Sequence, residues 1–183
     1  MNSNFLSQLV RLLDNISEWT GRTISWLTLL MVIITFVIVV MRYAFNVGNI
    51  ALQESVIYMH SFVFLLGAAY TLKHDGHVRV DIFYRPLSER GKAWVNIAGI
   101  LLLLFPVAGF IGYISWEYVA TSWELKEGSQ ESGGLDFRYI LKSTLVAMPV
   151  LICLQGISEL CRCILVLSGQ AHLLEEDVTE HTV

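Results

Sequence analysis

Side chains that could carry chemistry are scarce in the apolar stretches of this sequence. His60 is the single ionisable residue deep inside such a stretch, and a lone helical histidine more often makes a hydrogen bond in packing than binds a ligand. A haem bundle needs axial histidines that face each other across helices. The remaining histidines lie outside the apolar segments: His74, His77, His172 and His181. The sequence therefore lacks a haem ligand set.

The other reactive residue types give the same answer. Cys153, Cys161 and Cys163 show neither a CxxC motif nor zinc-site spacing, so we interpret them as small packing residues. No serine, histidine and aspartate occur together at one level of the apolar segments. The sequence therefore predicts a protein that is not an enzyme and binds no metal or cofactor.

Composition places the chain in a membrane. Of its 183 residues 55% are hydrophobic and 15% charged, against about 25% charged in soluble domains. The mean hydropathy is +0.59. The net charge of -4 and the absence of a basic cluster predict no nucleic-acid partner.

Four long segments of the sequence contain no charged residue, or almost none. A helix rises about 1.5 Å per residue, so roughly 20 apolar residues cross a ~30 Å hydrocarbon core. Backbone polar groups in lipid must bond within their own segment, which favours helix. The sequence predicts an all-α integral membrane protein with four transmembrane helices, at about 23–41, 55–72, 93–116 and 143–163. Residues 1–169 form one domain in this interpretation, and 170–183 an acidic, disordered tail.

An amphipathic helix is predicted over about 4–18, before the first span. Its apolar face contains Phe5, Leu9, Leu12 and Ile16 at helical spacing, with Leu6, Val10 and Leu13 beside them. Its polar arc comprises Gln8, Arg11, Asp14 and Asn15. Two arrangements stay open: the helix lies on the membrane surface or against a partner, or it extends span one as a single long helix. The segment does not resemble a cleavable signal, so the first span is expected to be retained.

Basic residues predict the orientation. Eight lysines and arginines flank one side of the predicted spans and four flank the other. Because the basic side faces the cytoplasm, we expect both termini there.

Small and polar residues inside the spans predict helix contacts. Gly67, Gly109 and Gly112 permit close helix approach, and Pro106 should kink span three. Gln155 and Ser158 can form interhelical hydrogen bonds. Glu159 and Arg162, spaced i, i+3, are expected to pair.

One ordered set of motifs resembles a known family. Arg42-Tyr43-Ala44-Phe45-Asn46 closes span one, Glu54 opens span two ahead of Tyr58, and Gly67 follows within Phe64-Leu65-Leu66-Gly67-Ala68-Ala69. His77-Val78-Arg79-Val80-Asp81 comes next. This order is similar to the small membrane (DctQ-type) subunit of tripartite ATP-independent periplasmic, or TRAP, transporters.

The resemblance implies a non-catalytic scaffold in the bacterial inner membrane. Its partners would be a large multi-span permease subunit, which holds substrate and sodium sites, a periplasmic solute-binding protein and membrane lipids. The imported solute would be an organic acid. Candidate structural or interface residues are Arg42, Glu54, Tyr58, Gly67, His77, Arg79 and Asp81. Arg42 and Glu54 are expected to pair or to hold the turn between spans one and two.

Two other functions remain as alternatives. A self-contained homo-oligomeric channel or exporter would need a charge facing its lumen, and His60 is the candidate. A membrane anchor of a redox enzyme would show a haem absorption band.

Overall fold

The computed structural model of the chain describes residues 3–78 and 81–170, and every regular element in these ranges is helical. The elements are α1 (Ser3–Phe45), α2 (Ile50–Lys73), the short α3 (Asp81–Tyr84), α4 (Glu89–Gly99), a π-helical segment (Ile100–Leu104), α5 (Phe105–Glu124) and α6 (Arg138–Leu167). The all-α fold class is thereby confirmed. Arg79 and the predicted tail beyond residue 170 lie outside the described residues.

Four helical stretches of the described chain are long and apolar enough to cross a membrane. They are Phe5–Phe45, Ile50–Lys73, Glu89–Glu124 and Arg138–Leu167. The third stretch joins α4, the π-helical segment and α5 without a break. The apolar segments thus predict four membrane-crossing helices, which the structure contains.

The structure distinguishes the two arrangements that the sequence left open for the amphipathic segment. Residues 3–45 form one helix of 43 residues, so the amphipathic segment extends span one. Within the predicted apolar face, Phe5 and Leu12 are 62% and 60% exposed. Leu6, Val10 and Leu13 are buried instead.

Helix α6 is the centre of the bundle. It packs against α1, α2, α4 and α5, whereas α1 otherwise packs against α2. Small and polar residues line its buried face, and at Gly156 an added Cβ would lie 2.9 Å from the Phe105 ring. Small residues let membrane helices approach this closely.

The kink predicted at Pro106 appears as a change of helix type. Pro106 lacks an N–H and sits in the first turn of α5. The five residues before α5 form the π-helix, in which the Phe105 N–H donates to the Ile100 carbonyl. This wider turn absorbs the missing bond without breaking the helix.

The two ends of the bundle differ in what they contain. Helix α1 begins and α6 ends near Leu6 and Leu165, and we call this end of the bundle the terminal end. Leu6 and Leu165 belong to one buried cluster with Val10 and Cys161. The opposite, loop end holds the α1–α2 turn and the loop 125–137. Most large apolar side chains of α1 between these ends are exposed, as expected for a surface facing hydrocarbon.

Candidate functional site

A buried polar cluster joins α1 to α6 at the terminal end. The Asp14 carboxylate accepts hydrogen bonds from Ser158 Oγ at 2.6 Å and Gln155 Nε2 at 3.1 Å, and it also pairs with Arg162. Ser17 Oγ donates to Gln155 Oε1 at 2.7 Å. Gln155 and Ser158 are fully buried. Their predicted role in interhelical hydrogen bonds is confirmed.

A second ionic contact joins α1 to α2 at the same end. Glu18 accepts from Lys73 Nζ at 2.6 Å and from Arg22 Nε at 2.7 Å, and the His74 ring nitrogen lies 2.9 Å from it. Gly21 allows this approach, because an added Cβ would lie 2.2 Å from the Tyr70 ring. The terminal end of α1 is thus fixed to both neighbouring helices.

At the loop end, Glu54 fixes the loop 125–137. Its carboxylate accepts from Ser129 Oγ and, at 2.6 Å, from the Leu135 backbone N–H. Gly134 makes room for this contact, since an added Cβ would lie 2.7 Å from Glu54 Oε2. Glu54 therefore binds this loop, where the sequence suggested a pairing with Arg42.

Glu127 anchors the same loop to α5 and α6. The hydrogen bond from Lys142, followed by the 2.8 Å bond from Ser122, lowers the pKa of Glu127 below its ordinary value of 4.5. Arg138 Nε lies 3.7 Å from the other carboxylate oxygen. The loop is structured by these ionic contacts.

The predicted site residues do not converge on one place. Arg42 is exposed at the end of α1, and Tyr58 is half-buried one turn after Glu54. Gly67 faces α1, where an added Cβ would lie 3.5 Å from Ile24 Cδ1. His77 is exposed in the connection after α2, and Asp81 begins α3. They mark helix ends and helix contacts, spread over the length of the bundle.

Between the two ends, the buried residues of the described chain are apolar apart from Thr144, whose hydroxyl donates to the Leu141 carbonyl of its own helix. They include Met59, Ile100, Ala108 and Pro149. His60 points out of the bundle and is exposed, with its ring stacked near Phe64 at a centroid distance of 6.2 Å. Among the described residues, the centre of the protomer therefore contains no buried charged or histidine side chain.

The interhelical contacts of Asp14 and the contacts that hold the loop 125–137 were not predicted from the sequence. The sequence pattern assigns Asp14 to the polar arc of the amphipathic helix without a partner, whereas its side chain is 15% exposed and faces α6. A signal was available: Gln155, Ser158 and Arg162 are spaced i, i+3, i+7, which places them on one helix face. Such a polar stripe in an apolar helix requires a polar partner helix. The contacts of Ser129 and Glu127 had no comparable signal.

Comparisons with known proteins agree with this fold. A family model described as "Tripartite ATP-independent periplasmic transporters, DctQ component" matches residues 31–166. A curated protein of Vibrio cholerae serotype O1, named C4-dicarboxylate TRAP transporter small permease protein DctQ, is 29% identical over 119 residues. That alignment covers 64% of this chain and 49% of the relative, so the chain matches about half the length of the relative. No solved structure matches the chain. Since the family model covers most of its length, this membrane protein belongs to the DctQ family, the small membrane component of TRAP transporters.

Proposed function

We propose that this chain is a non-catalytic small permease subunit that scaffolds the large multi-span subunit of a TRAP importer. The observation that carries the proposal is the match to the DctQ component over residues 31–166. The bundle fits a support, because its polar clusters lie at its two ends and its described centre is apolar. A conduit would place ionisable groups at membrane depth.

In this proposal the subunit lies in the bacterial inner membrane with its terminal end in the cytoplasm. The excess of basic residues flanking the terminal-end segments favours that orientation. A periplasmic binding protein would deliver an organic acid at the other side. The name of the Vibrio cholerae relative points to C4-dicarboxylates as the first substrates to test. A sodium gradient is the driving force in this proposal.

The exposed face around His60 and Phe64 is the proposed contact with the large subunit. A histidine that faces outward at membrane depth needs a hydrogen-bond partner outside its own bundle, because lipid tails offer none. The neighbouring Phe64 is 72% exposed and supplies apolar contact area.

Reconstitution tests the function directly. Proteoliposomes would contain the chain, the large permease subunit encoded with it and the matching binding protein, and uptake of labelled C4-dicarboxylates would be measured with and without a sodium gradient. We expect uptake with all components and none from the chain alone. Equal uptake without the chain would contradict the scaffold role, and uptake by the chain alone would replace it with a self-contained transporter.

The homo-oligomeric alternative has a separate test at His60, since this side chain could line a space between protomers. Ion flux through liposomes holding only the chain, abolished by His60→Leu, would favour a channel. The scaffold proposal predicts that these liposomes show no ion flux. It predicts instead that His60→Leu weakens co-purification with the large subunit. Phe36→Leu on the exposed face of α1 is the matched control.

A further inference from the structure

A groove of about 740 Å³ lies between Leu72 and the connection after α2 on one side and α4, the π-helical segment and α5 on the other. Its floor is α6, through Met148, Ile152 and Glu159. The wall formed by α4 and α5 carries mainly apolar side chains, from Val95 to Ile111. The bundle therefore contains an apolar space that its own helices do not fill.

The depth of the groove matches one leaflet of a bilayer. The apolar part of the wall begins at Gly99, just beyond Asn96, and ends at Ile111, a helical rise of twelve residues or about 18 Å at 1.5 Å per residue. Half of a ~30 Å hydrocarbon core is about 15 Å. A helix of a partner subunit would cross both leaflets, whereas an acyl chain occupies one.

The polar residues of the groove lie at its terminal end. Asp75, His77, Tyr84 and Asn96 line it there, together with Glu159 near the end of α6, and the Tyr84 hydroxyl donates to Asn96 Oδ1 at 3.2 Å. Apolar side chains line the deeper part. This division, polar at the membrane edge and apolar below it, is the pattern of a phospholipid.

Two features of the backbone keep the groove open. Gly99 has no atoms within 4 Å of an added Cβ, so a glycine here leaves space that a side chain would take. The π-helical segment follows directly and places Ile100, Leu103 and Leu104 along the groove. Single π-helical turns inside α-helices occur frequently at functional sites.

We propose that this groove binds an acyl chain of a membrane phospholipid from the leaflet at the terminal end, with the headgroup near Asn96 and His77. The bound chain fills the apolar space between α5 and α6, which the side chains of the protein leave open. The inference requires membrane insertion and is independent of the transport function proposed above.

Photolabelling tests the proposal. The chain would be reconstituted in nanodiscs containing phosphatidylcholine with a diazirine in one acyl chain, and labelled peptides would be mapped by mass spectrometry. We expect labelling at 99–111 and 148–152 to exceed labelling of the exposed α1 face around Phe36. A fatty acid carrying the same diazirine should label the groove less, because it lacks the phospholipid headgroup.

Two glycine variants provide the matched comparison. Gly99→Leu should fill the groove and reduce its labelling to the level of the α1 face. Gly109→Leu adds the same side chain at an exposed helical position that also has open space, and should leave the labelling unchanged. Thermal unfolding verifies that both variants are folded.

Three results would overturn the proposal. They are uniform labelling of groove and outer faces, groove labelling that survives Gly99→Leu, and preferential labelling by the free fatty acid. Loss of labelling when the large subunit is added, together with a crosslink from Gly99→Cys to that subunit, would assign the groove to a protein helix instead.

Discussion

Replacing Asp14 by alanine should release the terminal end of α1 from α6. The carboxylate accepts from Gln155 and Ser158, both fully buried, so Asp14→Ala leaves two buried donors without their acceptor. Each unsatisfied donor costs about 1–3 kcal/mol. Ser158 can turn to a carbonyl of its own helix, and Arg162 is 35% exposed, so its ion pair adds at most about 1 kcal/mol. We therefore expect α1 docking to weaken by about 2–3 kcal/mol.

The rate of thiol labelling at Cys161 measures how often α1 separates from α6. Cys161 lies in the buried cluster with Leu6 and Val10. A thiol reagent can therefore reach its sulfur only when α1 separates from α6. In a chain whose other two cysteines are alanine, the labelling rate of Cys161 under native conditions should rise about 30- to 100-fold in Asp14→Ala, because 1.4 kcal/mol corresponds to a factor of ten. Mass spectrometry of the labelled peptide gives the rate.

Two control variants test whether the buried hydrogen bonds of Asp14 hold α1 against α6. Asp14→Asn keeps an acceptor for both buried donors and should raise the rate less than tenfold, and Asn15→Ala at the neighbouring exposed position should not change it. A rate in Asp14→Ala within twofold of the parent, with the protein still folded, would show that the buried hydrogen bonds do not hold α1.

Three further expectations concern helix contacts and the loop 125–137. Gly21→Ala should lower the unfolding temperature, because the added Cβ overlaps the Tyr70 ring and overpacking costs about 1–3 kcal/mol; Gly109→Ala, in open space, should not lower it. Glu54→Ala should increase proteolytic cleavage within this loop by removing two of its hydrogen bonds, and unchanged cleavage would argue against that anchor. Because the folded-state pKa of Glu127 is lowered, its contribution to stability is present above its ordinary pKa of 4.5 and is lost as the pH falls through the folded value. The unfolding temperature of the parent should exceed that of Glu127→Gln at neutral pH and approach it as the pH falls below 4.5 through the lowered folded-state pKa.

The sequence predicted the parts of the fold that depend on local composition. Segments without charge predict the membrane-crossing helices, because the cost of burying charge in lipid applies to each segment separately. Pro106 likewise predicted a backbone irregularity, since its missing N–H acts on its own helix. The resemblance over Arg42 to Asp81 gave the family.

Contacts between distant residues could not be predicted in this way. Asp14 and Ser158 are 144 positions apart, and the helical pattern near Asp14 fits a solvated arc as well as a polar seam. Glu54 and Leu135 are 81 positions apart, and a loop rich in glycine gives no register for such a contact. The candidate site residues mark conspicuous positions in the sequence, while the groove is lined by residues as far apart in the chain as Leu72 and Glu159.

The unbroken length of α1 has a consequence for how the protein can change during evolution. At 43 residues the helix is about 65 Å long, twice the thickness of the hydrocarbon layer. Each residue advances a helix by about 100°, so one extra residue near Arg22 would turn Asp14 and Leu6 away from α6 while the membrane part kept its place. Insertions and deletions between these two parts should therefore be accepted mainly in steps of three, four or seven residues, which return the same side of the helix to its neighbour.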